Sequence, residues 1–221
     1  MSYLYCIGIS FAIQSVTWAA APCCFPPKFE GSFSFQSINF IGTTGEIDAS
    51  EMKFNRSVDN VGKKEAISVL YQNLNGKSYP PYFILNDYQN GMEYIVQDNK
   101  CEKRPITLPM PSNCLPDGAT QVIQDNLGAE NEMLSLNRYV YKKPSSNLTD
   151  NVFVTEQNCY PVLYTLTMVD GRTVQQMLIS GMSVGIKNPD IFNVPDVCKQ
   201  TEPHGKILSQ DFRMRLFFWF K

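Results

Sequence analysis

One histidine, His204, stands among the 221 residues, and the cysteines form no Cys-x-x-Cys pair, so a zinc site is not expected. The chain also lacks a His-Glu-x-x-His motif, a phosphate-cradling glycine loop and a dinucleotide fingerprint, which removes most metalloprotease and nucleotide chemistry. Charge of one sign is missing too. With 19 Lys and Arg against 21 Asp and Glu, the net charge is −2 and the cations are scattered, so no basic stripe can neutralise a nucleic-acid backbone. Nucleic acid is not an expected partner. No apolar run reaches the roughly 20 residues that cross a bilayer. Long helical periodicity is absent as well, and without crossover helices a parallel α/β fold is excluded.

What remains is a chain with 43% hydrophobic residues, enough for a full core in one domain. Residues 3–16 are mostly apolar and end in small residues, which reads as a secretory signal over residues 1–19, despite the lack of Lys or Arg ahead of the run. Cleavage after Ala19 leaves Thr17 and Ala19 at the small positions. Cleavage after Ala21 also fits, but sets Pro22 beyond the scissile bond.

Removing that segment takes Cys6 with it and leaves Cys23, Cys24, Cys101, Cys114, Cys159 and Cys198, an even set suited to an oxidising compartment. A bond between adjacent Cys23 and Cys24 would be strained; otherwise the connectivity is open. The sequons at Asn55 and Asn147, each in a polar stretch between apolar runs, are expected to carry glycans.

Short strands recur along the chain. Phe33 and Phe35 alternate with polar neighbours, as do Ile67, Val69 and Tyr71. Residues 82–85 and 92–96 form a hairpin through Asn90-Gly91, and residues 162–168 and 173–180 form another through Asp170-Gly171. Residues 119–124 and 133–141 read as strands separated by a turn at 125–128. One helical turn follows Asn188-Pro189, at residues 190–192, capped by Asn188. Such spacing means an all-β antiparallel sandwich or half-open barrel. Residues 82–85 are apolar on both faces, so one face packs on the partner sheet while the other lines a cavity or a dimer contact.

Gly181-Met182-Ser183-Val184-Gly185 matches the nucleophile-elbow pattern, with Asp190 or Asp196 and then His204 in hydrolase order. The context fails, because an elbow needs a helix after the serine and Pro189 follows instead. No enzymatic activity is expected. Loop carboxylates that could meet calcium are Asp48, Asp87, Asp98, Asp117, Asp125 and Glu130, but no EF-hand pattern joins them and no ligand set is assigned.

Three stretches resemble a known family: Pro22-Cys23-Cys24-Phe25-Pro26-Pro27-Lys28-Phe29-Glu30-Gly31; Asn158-Cys159-Tyr160-Pro161-Val162; and Val184-Gly185-Ile186-Lys187-Asn188-Pro189-Asp190-Ile191-Phe192 with Pro195-Asp196-Val197-Cys198. Over roughly residues 22–200 the chain is similar to ependymin-related proteins, of the invertebrate type. Residues 201–221 match nothing in the family and form a divergent tail. The resemblance implies two stacked curved sheets around a deep hydrophobic pocket, secretion without catalysis, homodimers and an association with calcium. It also implies Cys23 bonded to Cys159 and Cys101 to Cys198, which leaves Cys24 for Cys114.

The function this implies is a secreted carrier of amphipathic lipid that needs no cofactor. Pocket-lining candidates, chosen by alternation, are Phe33, Phe35, Tyr82, Ile84, Tyr94, Val96, Tyr139, Tyr141, Tyr164, Leu166, Met177 and Ile179. The alternative is a calcium-binding matrix or adhesion glycoprotein that contacts matrix or membrane surfaces. The destination is extracellular fluid, with the lysosomal lumen as the second choice.

Overall fold

The computed structural model describes residues 23–41, 46–142, 148–168 and 173–200. The expected signal segment, the tail from 201, His204, Asn147 and the Asp170-Gly171 turn lie outside the described residues. Twelve strands account for most of the rest: β1 (Lys28–Ile41), β2 (Glu46–Asp59), β3 (Lys64–Leu74), β4 (Lys77–Tyr79), β5 (Tyr82–Asp87), β6 (Met92–Gln97), β7 (Lys100–Pro105), β8 (Thr120–Leu127), β9 (Leu134–Lys142), β10 (Leu148–Thr155), β11 (Pro161–Met168) and β12 (Thr173–Val184). They form one open antiparallel sheet in the order β7-β6-β5-β3-β2-β1-β12-β11-β10-β9-β8, with β4 beside β3. The half-open barrel is therefore realised as one continuous sheet.

Period-two alternation makes two unlike faces. In β1, Phe29, Phe33, Phe35 and Ser37 are buried, whereas Ser34, Gln36, Ile38 and Phe40 are exposed. The buried set belongs to the main core with Met52, Phe54, Val58, Ile67, Val69, Ile84, Ile95, Val152, Tyr164, Leu166, Met177 and Ile179, which defines the inner face. Four register shifts interrupt the pleat among the described strands, two of them bordering β1 and β3. Between β1 and β12 the register slips at Gly181, whose φ of 60° lies in the left-handed region where a side chain costs energy. In β3 the slip falls at Leu70, so Tyr71 turns outward and Gln72 is buried instead. The expected alternation of Ile67, Val69 and Tyr71 thus ends at Val69.

Turn chemistry sets the hairpins. Asn75-Gly76 and Asp98-Asn99, all at positive φ, each close a two-residue turn, joining β3 to β4 and β6 to β7. The β5–β6 connection is longer than Asn90-Gly91 alone: Asp87 pairs with Met92, and the Asp87 carboxylate accepts from Asn90 N at 3.0 Å and Asn90 Nδ2 at 2.8 Å. The β8–β9 turn also sits later than expected. Asp125 and Asn126 remain paired with Leu136 and Ser135, and the chain leaves the ladder only at Gly128.

After β12 the chain doubles back over the outer side of β3, β5 and β6. The 3-10 turn Pro189–Phe192 forms where expected, with the Asn188 side-chain carbonyl accepting from Asp190 N at 3.1 Å. Phe192 and Cys198 pack on Ala66, Leu85 and Tyr94, and Cys198 is bonded to Cys101 of β7. This second core explains the two-sided apolarity of β5. Tyr82 and Ile84 face inward, while Phe83 and Leu85 lie under residues 186–198 rather than against a cavity or a dimer partner. Among the described residues, no helix is long and apolar enough to cross a membrane.

Candidate ligand site on the inner face

The chain must pass from β7, at one edge of the sheet, to β8 at the other. It does so along residues 106–119, which cross the inner face as an irregular strap. Met110 and Leu115 of the strap pack into the main core. Residues 113–115 run antiparallel to residues 23–25, with Phe25 N donating to Asn113 O at 2.6 Å and Leu115 N to Cys23 O at 2.9 Å. Disulfides join Cys24 to Cys114 and Cys23 to Cys159. Because Cys23 and Cys24 are neighbours, the strap is tied covalently through them to the turn between β10 and β11.

Beneath the strap, among the described residues, lie two small voids. One, of about 20 Å³, sits among Phe25, Phe29, Phe33, Arg56, Met110 and Pro161. The other, of about 10 Å³, sits among Leu115, Ala119, Tyr139, Tyr141, Val152 and Tyr164. Each has room for about one water, far short of the roughly 300 Å³ of the smallest ordinary ligand pockets. Strap residues line both voids.

Ten of the twelve residues chosen by alternation share the inner face: Phe33, Phe35, Tyr82, Ile84, Tyr139, Tyr141, Tyr164, Leu166, Met177 and Ile179. Tyr94 and Val96 do not. Ile95 is the residue opposite Ile84, so its neighbours point outward and join Leu85 and Phe83 beneath the C-terminal segment. Alternation offers no way to choose between the two faces of β6 when both are apolar.

The inner face also carries polar groups that the sequence reading passed over. At the end of the sheet nearest the larger void, Arg56 Nε donates to Glu65 Oε1 at 2.5 Å, and Glu65 Oε2 accepts from Asn86 Nδ2 at 2.9 Å and Tyr88 OH at 3.2 Å. Glu93 Oε2 stands 3.0 Å from Arg104 Nε, an ion-pair contact off the angle of a hydrogen bond, and Arg104 Nη1 is 3.2 Å from Glu102 Oε1. Burial pushes the Glu93 carboxyl up to about 7; Arg104 opposes the rise, while Glu102 and Glu65 add to it. At the smaller void, burial raises the Tyr164 phenol, and the Asp150 carboxylate that it meets raises it further.

Ser183 lies within β12, paired with Glu30, and the strand runs on past it to Val184, so the residue has no elbow geometry. Asp87 is buried and caps its turn, with Lys64 3.6 Å away, and so is not a loop carboxylate open to solvent. Among the described residues, no group of three or more His, Cys, Asp or Glu is placed to hold a metal ion. Asn55 is exposed on the outer face of β2 rather than in a loop.

An uncharacterised conserved protein from Thermus thermophilus has 8% identity and a TM-score of 0.47, covering 75% of this chain and 86% of its own. A LolA superfamily protein from Nitrosomonas europaea has 9% identity and a TM-score of 0.36, covering 78% of this chain and 93% of its own. Likenesses at these scores carry no inference about function. A family profile is more specific: the Ependymin profile matches residues 78–198, from β4 through strap and sheet to the cysteine that closes the outer core. The chain belongs to the ependymin family.

Proposed function

We propose that this is a secreted, non-enzymatic glycoprotein that binds amphipathic lipid along the inner face, with the strap as the element that the ligand displaces. The observation that carries the reading is the kind of cover this face has. Aromatic and aliphatic side chains from eight strands meet a coil anchored mainly at its middle, through Cys114, instead of a second sheet. A hydrocarbon tail replacing Met110 and Leu115 would exchange one apolar contact for another. Further apolar area would then contribute at about 25 cal/mol per Å². Polar groups at the inner ends of the strands would hold the head group.

Three further features belong to the same proposal. The disulfides suit an oxidising, extracellular destination. A glycan on Asn55 would project into water from β2. Homodimerisation is supported by an uncovered outer patch in which Phe40 faces Ile47 and Ile38 lies between Ala49 and Val174, all exposed.

The test is titration of delipidated protein from secreting cells with a dansylated fatty acid, alongside native mass spectrometry before lipid removal. Saturable binding that oleate competes away is expected, and Met110→Ala should strengthen it by loosening the strap. No saturable binding, together with no lipid on the secreted protein, would sink the proposal.

A further inference from the structure

Ser37 of β1 and Ser50 of β2 sit directly opposite each other on the inner face, 1% and 8% exposed. Among the described residues, neither hydroxyl has a hydrogen-bond partner. Hydroxyls so deeply buried cost stability unless something bonds to them. Side chains directly opposite on antiparallel strands have their Cβ atoms about 5 Å apart, so both hydroxyls can reach one small polar group lying between them.

The surroundings of the pair grade from polar to apolar along the strands. One row outward, Asn39 pairs with Asp48, both half-buried. One row inward, Phe35 pairs with Met52, and the row after that pairs Phe33 with Phe54, whose rings stack at 5.2 Å. The strap is held at the far end of the same two strands, where it bonds to Phe25 and lines the void beside Phe29 and Arg56. An amphipath lying along β1 and β2 would put its chain over Phe35, Met52, Phe33 and Phe54 and its head between the serines. Among the described residues, β1, β2, β3 and β12 bring no Lys or Arg to the inner face beside the pair; Lys77, in β4, is exposed and lies over the Tyr79 ring at 5.3 Å. A carboxylate or phosphate buried there would shed its water without gaining a counter-charge, and would meet Asp48 one row away.

We infer that Ser37 and Ser50 form a head-group site for an uncharged, hydroxyl-bearing lipid, of which a monoacylglycerol is the simplest kind. The inference rests on the inner face being the lipid site, and adds which end takes the head and what chemistry that head has. Each serine can donate to or accept from a glycerol hydroxyl, so the two buried groups and the head are satisfied together. A free fatty acid still binds through its chain, but less tightly.

Displacement of the dansylated fatty acid from the full disulfide-bonded protein at pH 8 tests it, with glycerol monolaurate, methyl laurate and laurate as competitors below their micelle concentrations. The glycerol ester should bind about tenfold more tightly than the methyl ester, as two hydrogen bonds to buried partners would give, and more tightly than laurate. Ser37→Ala/Ser50→Ala should close the gap between the esters by weakening the glycerol ester. Without lipid, the same variant should have a urea midpoint no lower than that of the wild type, because the hydroxyls it removes are unbonded there. Equal affinity of the two esters for the wild type overturns the inference, as does a gap that survives in the variant or a midpoint that falls. If the dansylated probe itself does not bind, the lipid reading fails and the inference with it; a bound probe without ester preference sinks the inference alone.

Discussion

Removing the Cys101 to Cys198 bridge should cost about 4 kcal/mol, and the structure says where the loss will appear. The bridge closes a loop of 97 residues, which by chain entropy corresponds to about 4.7 kcal/mol. The other two disulfides shorten the path: from Cys101 to Cys114, across to Cys24, along to Cys23, across to Cys159 and on to Cys198 is about 50 residues, which lowers the figure to about 4 kcal/mol. That is a large share of the roughly 5–15 kcal/mol that stabilises an ordinary domain. The Cys101→Ala/Cys198→Ala variant should therefore show a lower urea midpoint under non-reducing conditions. Protease cleavage should become fast within residues 185–200, where Phe192 would lose the tether that seats it on Leu85 and Tyr94. A loss below about 1 kcal/mol, with that segment still resistant, would mean that packing of Phe192 and its neighbours suffices and that the entropic argument is wrong.

Three other perturbations are as direct. The Glu93 carboxyl rises from 4.5 to about 7 on folding, so the native state keeps a proton that the unfolded chain has lost; stability is full below pH 4.5 and falls as pH rises through about 7, by about 3 kcal/mol in all. Urea titrations at intervals from pH 4.5 to 8 should show this decline in the wild type and a flatter profile in Glu93→Gln; stability that climbs over this range would contradict it. Leu85→Ala, at a side chain with no exposed surface, should cost about 2–5 kcal/mol by urea titration. Gly181→Ala meets open space but must hold φ near 60°, so a loss of about 1 kcal/mol in thermal unfolding is expected, with no change in lipid binding.

Turn residues and alternation make β1, β3, β5, β6, β8, β9, β11 and β12 legible in the sequence. The strands that escaped notice share a physical cause. β2 reads Glu-Ile-Asp-Ala-Ser-Glu-Met-Lys, with small or polar residues at several inward positions, and β7 is a charged edge whose inward side chains are Glu102 and Arg104. Neither shows the apolar period that marks a strand. β10 begins beside a sequon and opens with Thr149-Asp150-Asn151, which reads as loop chemistry although Asp150 and Asn151 are both buried. The strap was invisible for another reason: its path follows from β7 and β8 lying at opposite edges, and strand order is not written in local sequence. The misplacement of Tyr94 and Val96 has a different cause: a loop of two residues or of four pairs Ile84 with an odd-numbered residue of β6, so once Ile84 faces inward Ile95 does too, and the pairing across the hairpin decides what alternation along β6 leaves open.

The position of β1 bears on how the protein is made. Its neighbours are β2, which follows it directly in the chain, and β12, about 150 residues further along. A ribosome that has delivered β1 through β7 has released seven strands, and β1, at the edge of their sheet, still shows a bare row of amides and carbonyls. That row stays unmatched until the last strand emerges. Pairings so remote in sequence are slow to form, and unmatched ladders invite other chains to add on. Production of this protein should thus depend on chaperones that shield β1 through that interval.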